Sequence, residues 1–275
     1  MIDEKSFDKI VQGKQVGIYT IISNSGVKAQ ITNYGAKIVS LFVPSDNGSL
    51  TDVVLGFNTL DEWLTQEVYF NGINGRVAGR ISNAQAEIDG QIYNFTKNNG
   101  IHTLHGGNQG FNDKVWDVVE TSENAITLHY LSPDGEEGFP GNLHVLVRYV
   151  LEGNDLNIYY DANTDQPTII NLTNHAYFNL KGEGQGSIHD HTLQVLAEEY
   201  IPYDENTLPI GCVKSVEGTP MDMRQSTLIA DRINDPFFAA GLGIDNGWAL
   251  PGWNDQCSTS PLRLAAVLKG GDYTM

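Results

Sequence analysis

Apolar and polar residues alternate over short stretches along almost the whole chain. Within 143–151, Leu143, Val145, Val147 and Tyr149 form one set, and His144 and Arg148 belong to the other. A period of two puts successive side chains on opposite faces of a strand, so one face is buried and one is wet. Comparable segments run over 16–22, 27–32, 37–43, 52–57, 115–120, 125–130 and 156–161, separated by turn residues such as Asn33-Tyr34-Gly35, Glu123-Asn124 and Gly153-Asn154. The sharpest local expectation is a hairpin over 86–93. Asp89-Gly90 sits between alternating runs there, and a type I′ turn needs positive φ at both central residues. The best helix signal is short: Thr59 and Glu62 have capping-box spacing just ahead of Trp63 and Leu64. There is no internal repeat, low-complexity tract or Pro/Ser-rich linker, and the glycines of 182–186 read as a loop rather than a boundary. The pattern predicts an all-β chain, a single antiparallel β-sandwich domain of many strands over 1–275.

Composition narrows the partners. A β-sandwich of 275 residues is commonly one domain. The formal charge of −18 repels polyanions, which excludes non-specific binding to nucleic acid or to an anionic membrane and favours a neutral or cationic small ligand. Cys212 and Cys257 have neither metal-ligand nor Cys-x-x-Cys spacing. Free thiols in a reducing cytosol are expected, with a disulfide between the two as the alternative. Residues 1–10 lack the apolar stretch of a secretory signal, and no apolar run approaches the ~18 residues of a membrane span. The expected compartment is the cytoplasm.

Four places could do chemistry. Gly75-Arg76-Val77-Ala78-Gly79-Arg80 sets two arginines four apart beside glycines, where backbone can approach a ligand while a guanidinium donates to its oxygens. Leu104-His105-Gly106-Gly107 holds a histidine on a tightly turned backbone. Asn171-Leu172-Thr173-Asn174-His175-Ala176-Tyr177 sets a second histidine among hydrogen-bonding groups, and histidine can both give and take a proton near neutrality. Gly243-Ile244-Asp245 offers a carboxylate near Trp248, suited to sugar hydroxyls and to the apolar face of a ring. Each also has a structural reading: loop arginines, a turn histidine in solvent, a core histidine satisfied by backbone, an Asx-type turn. Together they point to a neutral polyhydroxylated ligand. No P-loop, dinucleotide fingerprint, Gly-x-Ser-x-Gly elbow or His-Glu zinc signature occurs, so neither a cofactor nor a metal is expected.

In order along the chain, these segments resemble the aldose 1-epimerase (galactose mutarotase) family. Gly75–Ile81 resembles the family's arginine segment. Asn98-Asn99-Gly100 through His105-Gly106-Gly107, Gly110-Phe111 and Val115-Trp116 resemble its first histidine segment. Gly138-Phe139-Pro140-Gly141 resembles its aromatic-Pro-Gly turn, 171–180 its catalytic-histidine segment, and Gly243-Ile244-Asp245 its sugar-binding turn. Pro209-Ile210-Gly211 and 218–224 resemble later landmarks. The resemblance implies a mutarotase-type β-sandwich, a free hexose as the small-molecule partner, and interconversion of its α and β anomers by ring opening and reclosure. It implies His175 as the proton donor, catalytic together with His105. Gly79, Arg80, His105, His175, Ala176, Tyr177 and Asp245 are implied as substrate-binding residues, and Tyr177 and Trp248 as pocket wall. Two positions depart from the pattern: Gly79 stands where many relatives have Asn, and Asn246 where relatives often have His. A strand over 261–268 leads toward the family's closing region, in which further strands follow and one carries a general-base glutamate. Glu198, Glu199 and Glu205 lie in other motif contexts, so the resemblance implies a β-sandwich lacking its C-terminal strands and a base outside 1–275. A non-catalytic hexose-binding module is the alternative, and an epimerase acting on a hexose phosphate is a third. The sequence is silent on oligomeric state.

Overall fold

The computed structural model describes residues 1–45, 47–66, 69–252 and 262–275. Almost all regular structure is β, and every ladder between named strands is antiparallel. The chain divides into two compact units: Met1–Phe178 with Gly182–Gly184, and Asn179–Lys181 with Gln185–Met275.

The first unit holds two four-stranded sheets. One joins Ile18–Ile22, Lys28–Thr32, Ile38–Pro44 and Leu50–Asp52 in sequence order. The other joins Asp117–Thr121, Ala125–Ser132, Leu143–Glu152 and Asp155–Thr164, also in order. The alternation expected within 143–151 holds as far as Tyr149, after which Val150 and Leu151 are both buried. Leu143, Val145, Val147 and Tyr149 are buried, and His144, Leu146 and Arg148 are exposed. Burying such side chains contributes roughly 1.5–3 kcal/mol each relative to leaving them in water. Tyr149 also donates its hydroxyl to the Ala36 carbonyl at 2.7 Å, tying the second sheet to the turn after Lys28–Thr32.

Local signals hold where the chemistry is local. Gln85–Ile88 and Gln91–Asn94 pair across Asp89 (φ 50°) and Gly90 (φ 79°), the type I′ arrangement. The helix Leu60–Thr65 is capped by Thr59, and the capping box with Glu62 is complete. One strand differs from expectation: the pattern predicts 52–57, but the paired strand is Leu50–Asp52. The Asp52 carboxylate accepts from the Leu41 and Val54 amides at 2.9 and 3.2 Å in place of ladder bonds; beyond it the Val53 amide still donates to the Leu41 carbonyl at 2.9 Å, and Val54 forms an isolated bridge to Phe178.

In the second unit, Thr192–Val195 pairs with Thr227–Leu228 and with Ala266–Gly270, and Ala266–Gly270 pairs with Tyr273–Thr274. Glu199–Tyr200 pairs with both Lys214–Ser215 and Trp248–Ala249. The strand expected over 261–268 is Ala266–Gly270; Pro261 lies outside the described residues. Cys212 is an exposed free thiol, and Cys257 lies outside the described residues. Among the described residues no helix is long and apolar enough to cross a membrane.

Candidate functional site

His175 is placed by a short ladder. Thr173–Asn174 pairs with Ile73–Asn74, and the register continues past the strand end. The His175 N–H donates to the Gly72 carbonyl at 3.0 Å, and the His175 carbonyl accepts from the Asn71 N–H at 2.9 Å. Two side-chain amides brace the backbone at Ala176 and Tyr177. Asn174 Oδ1 accepts from the Ala176 N–H at 3.1 Å, and its Nδ2 donates to the Asn71 carbonyl and to the Tyr149 hydroxyl. Asn71, fully buried, accepts from the Tyr177 N–H at 3.2 Å and donates to the Leu55 carbonyl at 2.5 Å. No sequence motif singles out Asn71; its one local signal is the Asn71-Gly72 dipeptide, a turn signal between apolar residues.

His105 is placed by a second ladder. Arg80–Ile81 pairs with Thr103–Leu104, with Arg80 opposite Leu104, so Arg80 and His105 emerge at the same end. The loop after it is tightly constrained. His105, Gly106 and Gly107 have φ of 50°, 91° and 106°. A Cβ at Gly106 would collide with the Gly75 carbonyl, and one at Gly107 with the Glu137 carboxylate. Gly106 is therefore required both by conformation and by space, and Gly107 by conformation, since the Glu137 side chain could give way. Glu137 accepts from the Asn108 and Gln109 amides at 3.0 and 3.2 Å and fastens the loop. Asn98 grips it from the other side, donating to the Leu104 and Gly107 carbonyls and accepting from the Leu104 N–H.

These two ladders bring the histidines together. The His105 and His175 rings meet edge to face with centroids 5.3 Å apart. Tyr69, which sequence reasoning missed, lies against both, at 4.5 Å from His105 and 6.5 Å from His175. Tyr177 stacks on His175 at 5.1 Å and packs against Phe70 at 4.6 Å. His105 Nδ1 accepts the Gly79 N–H at 3.1 Å. Burial, then the nearby His175 and Arg80, push the His105 pKa down from 6.5 to about 3, so its ring is neutral at any working pH. Arg80 is half-buried and gives its Nε–H to Asn99 at 3.1 Å.

Arg76 goes elsewhere. It is 2 % exposed and donates to the Ser132 hydroxyl and to the Ser132, Pro133, Pro140 and Gly141 carbonyls. Of the two arginines read as ligand donors, this one is absorbed by the protein. In the second unit, Asp245 is exposed and lies just after the Gly243 turn, packed against Gly241. Trp248, expected as pocket wall, donates its indole N–H to the Met221 carbonyl at 3.1 Å and packs on the cluster of Tyr200, Val216, Met221 and Phe238.

A family model described as aldose 1-epimerase matches residues 17–269. Galactose mutarotase from Bos taurus is 38% identical over 235 residues, 86% of this chain and 68% of that protein. Aldose 1-epimerase from Escherichia coli K12 is 36% identical over 219 residues, 79% of this chain and 63% of that protein. Among solved structures, a GalM/aldose epimerase homologue from C. elegans superposes with a TM-score of 0.82 at 30% identity, covering 94% of this chain and 76% of the other. Galactose 1-epimerase from Lactobacillus acidophilus gives 0.81 at 29% identity, over 95% and 75%. The fold is thus that of the galactose mutarotase-like all-β proteins. The chain belongs to the aldose 1-epimerase family, and its matched part spans about two thirds of the curated relatives' length.

Proposed function

We propose that the chain is an aldose 1-epimerase acting on a free hexose, galactose or glucose. The observation that supports this most directly is the pair of histidines from two separate ladders, edge to face at 5.3 Å, with Arg80 and Tyr69 beside them. The chemistry needs a proton delivered to the ring oxygen, here from His175, and one removed from the anomeric hydroxyl, which passes to solvent water because no residue of 1–275 is assigned as the base. The bond from C1 to the ring oxygen then opens, C1–C2 rotates, and the ring recloses on the other face with the proton roles reversed. His175 is the proton donor in this reading. His105, neutral, offers a hydrogen bond to the reacting oxygen, and the Arg80 guanidinium holds hydroxyls. Tyr177 and the backbone at Gly79 and Ala176 border the sugar. A hexose needs no cationic cluster for a phosphate, which suits a chain of net charge −18. A cytoplasmic setting goes with this reading.

Polarimetry of freshly dissolved α-galactose tests it. The chain should speed the approach to the equilibrium rotation, and His175→Asn should lower the rate by about 10²–10⁴-fold, the usual share of a positioned acid. A wild-type rate equal to the spontaneous one sinks the proposal, and an undiminished His175→Asn rate removes His175 from its role.

A further inference from the structure

The short ladder beneath His105 is closed at both ends by imidazole rings. Beyond Arg80 opposite Leu104, the Gly79 N–H donates to His105 Nδ1 at 3.1 Å, and the His105 N–H donates back to the Gly79 carbonyl at 3.0 Å. Beyond Ile81 opposite Thr103, the Asn83 N–H donates to His102 Nδ1 at 3.0 Å. Two histidines three residues apart thus use the same nitrogen to accept from the backbone strand facing them.

We propose that Gly79 is a positioning residue that fixes His105 in its Nε2–H form, so that His105 offers the sugar one constant donor and never takes the transferred proton. The physical reason is the direction of the bond. A backbone amide can only donate, so Nδ1 must present its lone pair, and the ring proton of the neutral imidazole is left on Nε2. A second proton on Nδ1 would set N–H against N–H and destroy the contact. The ring cannot turn to escape this. Its backbone is held by the return bond to Gly79, its loop by Glu137 and Asn98, and one flank by the Tyr69 ring at 4.5 Å. Of the charged or titratable groups facing it, Tyr69, His175 and Arg80, the last two oppose a further positive charge.

Glycine suits position 79 through conformation rather than crowding. Its φ is +81°, and a Cβ built there meets nothing within 4 Å. The site therefore has room for a side chain, but the amide would not keep its aim on Nδ1 in a residue that avoids left-handed backbone, β-branched residues above all. The consequence rests on the proposed reading of the site: the two histidines are not interchangeable, and only His175 moves a proton.

Long-range proton–nitrogen correlation spectra of the 15N-labelled wild-type chain test the tautomer without reference to activity. Between pH 5 and 8, His105 should show a protonated Nε2 and a bare Nδ1 that do not move. A protonated Nδ1, or a midpoint inside that range, overturns the proposal. In Gly79→Val the Nδ1 signal should shift and the two tautomers should mix, with a change in the pH dependence of the rate; an unchanged His105 spectrum in a folded Gly79→Val chain would strip Gly79 of its role. If that variant does not fold, the wild-type spectrum still decides. A fixed tautomer in a chain without mutarotation would sink the epimerase reading and leave the clamp standing.

Discussion

Arg76 and Arg80 stand four residues apart, each preceded by glycine and followed by a β-branched residue. One has become architecture and the other faces the site. The Arg76 guanidinium is surrounded by carbonyls from 132–133 and 140–141 and fastens that turn to the backbone of the first unit. Arg80 has a single protein acceptor among the described residues, Asn99, which takes its Nε–H, and in the proposed function its terminal nitrogens hold sugar hydroxyls. A guanidinium carries five N–H donors, and where they are spent separates the two roles better than its distance from a glycine does.

The comparison can be broken by substitution. Arg76→Leu should have the largest effect. It strips donors from three buried carbonyls and from that of exposed Pro133, at about 1–3 kcal/mol for each buried group left unpaired, so a total loss of about 3–5 kcal/mol is expected once the turn relaxes. Urea denaturation measures it, and any fall in rate should track the unfolded fraction. Arg80→Gln should do the reverse. Stability should change by less than about 0.5 kcal/mol, while kcat/KM falls about 10–100-fold, the value of one or two charge-assisted hydrogen bonds. If Arg80→Gln unfolded the chain and Arg76→Leu spared it, the assignment would be inverted.

The smallest effect concerns a third cation, buried like Arg76 but poorly supplied. Lys37 is 1 % exposed, donates to the Asn112 carbonyl, and lies 4.6 Å from the centre of the Tyr34 ring and 5.8 Å from that of Trp63. Burial lowers its pKa from 10.5 to about 8 despite the opposing pull of Asp113. Between those values the unfolded chain holds a proton that the folded chain has shed, so this group makes folding more favourable as pH rises through that window. The slope is at most about 1.4 kcal/mol per pH unit. Thermal melts from pH 7.5 to 9.5 should show this rise in the wild type and lose it in Lys37→Met; parallel curves would mean that Lys37 is already neutral or fully solvated. The upper limit stays below pH 10, where unfolded tyrosines ionise while Tyr34 and Tyr149, raised by burial, do not.

The sequence spoke clearly wherever a structure is set by neighbours in the chain. Asp89-Gly90 and the Thr59–Glu62 capping box are of this kind, because the groups that satisfy one another lie within four residues. It was ambiguous where the partner is remote. Nothing local distinguishes Arg76 from Arg80, since the carbonyls that claim Arg76 come from about sixty residues later. The Asp52 carboxylate takes the Leu41 amide in place of a ladder bond, a contact that alternation cannot foresee. The candidate histidines were visible as motifs, and their place in a family came from several motifs in order. Tyr69 and Asn71, which wall and brace the same site, belong to no motif and take their roles only when the ladders fold around them.

The carboxylate of Glu137 has one more implication, for traffic through the site. It holds two consecutive amides just beyond His105, and a side chain on the glycine before them would meet that same carboxylate. A lid needs a hinge that can absorb a change in φ and ψ, and movement here would first have to break both of these hydrogen bonds. On the His105 side, then, the loop is fastened like a harbour wall. On the proposed reading, a sugar passing His105 moves along a wall that two hydrogen bonds hold in place.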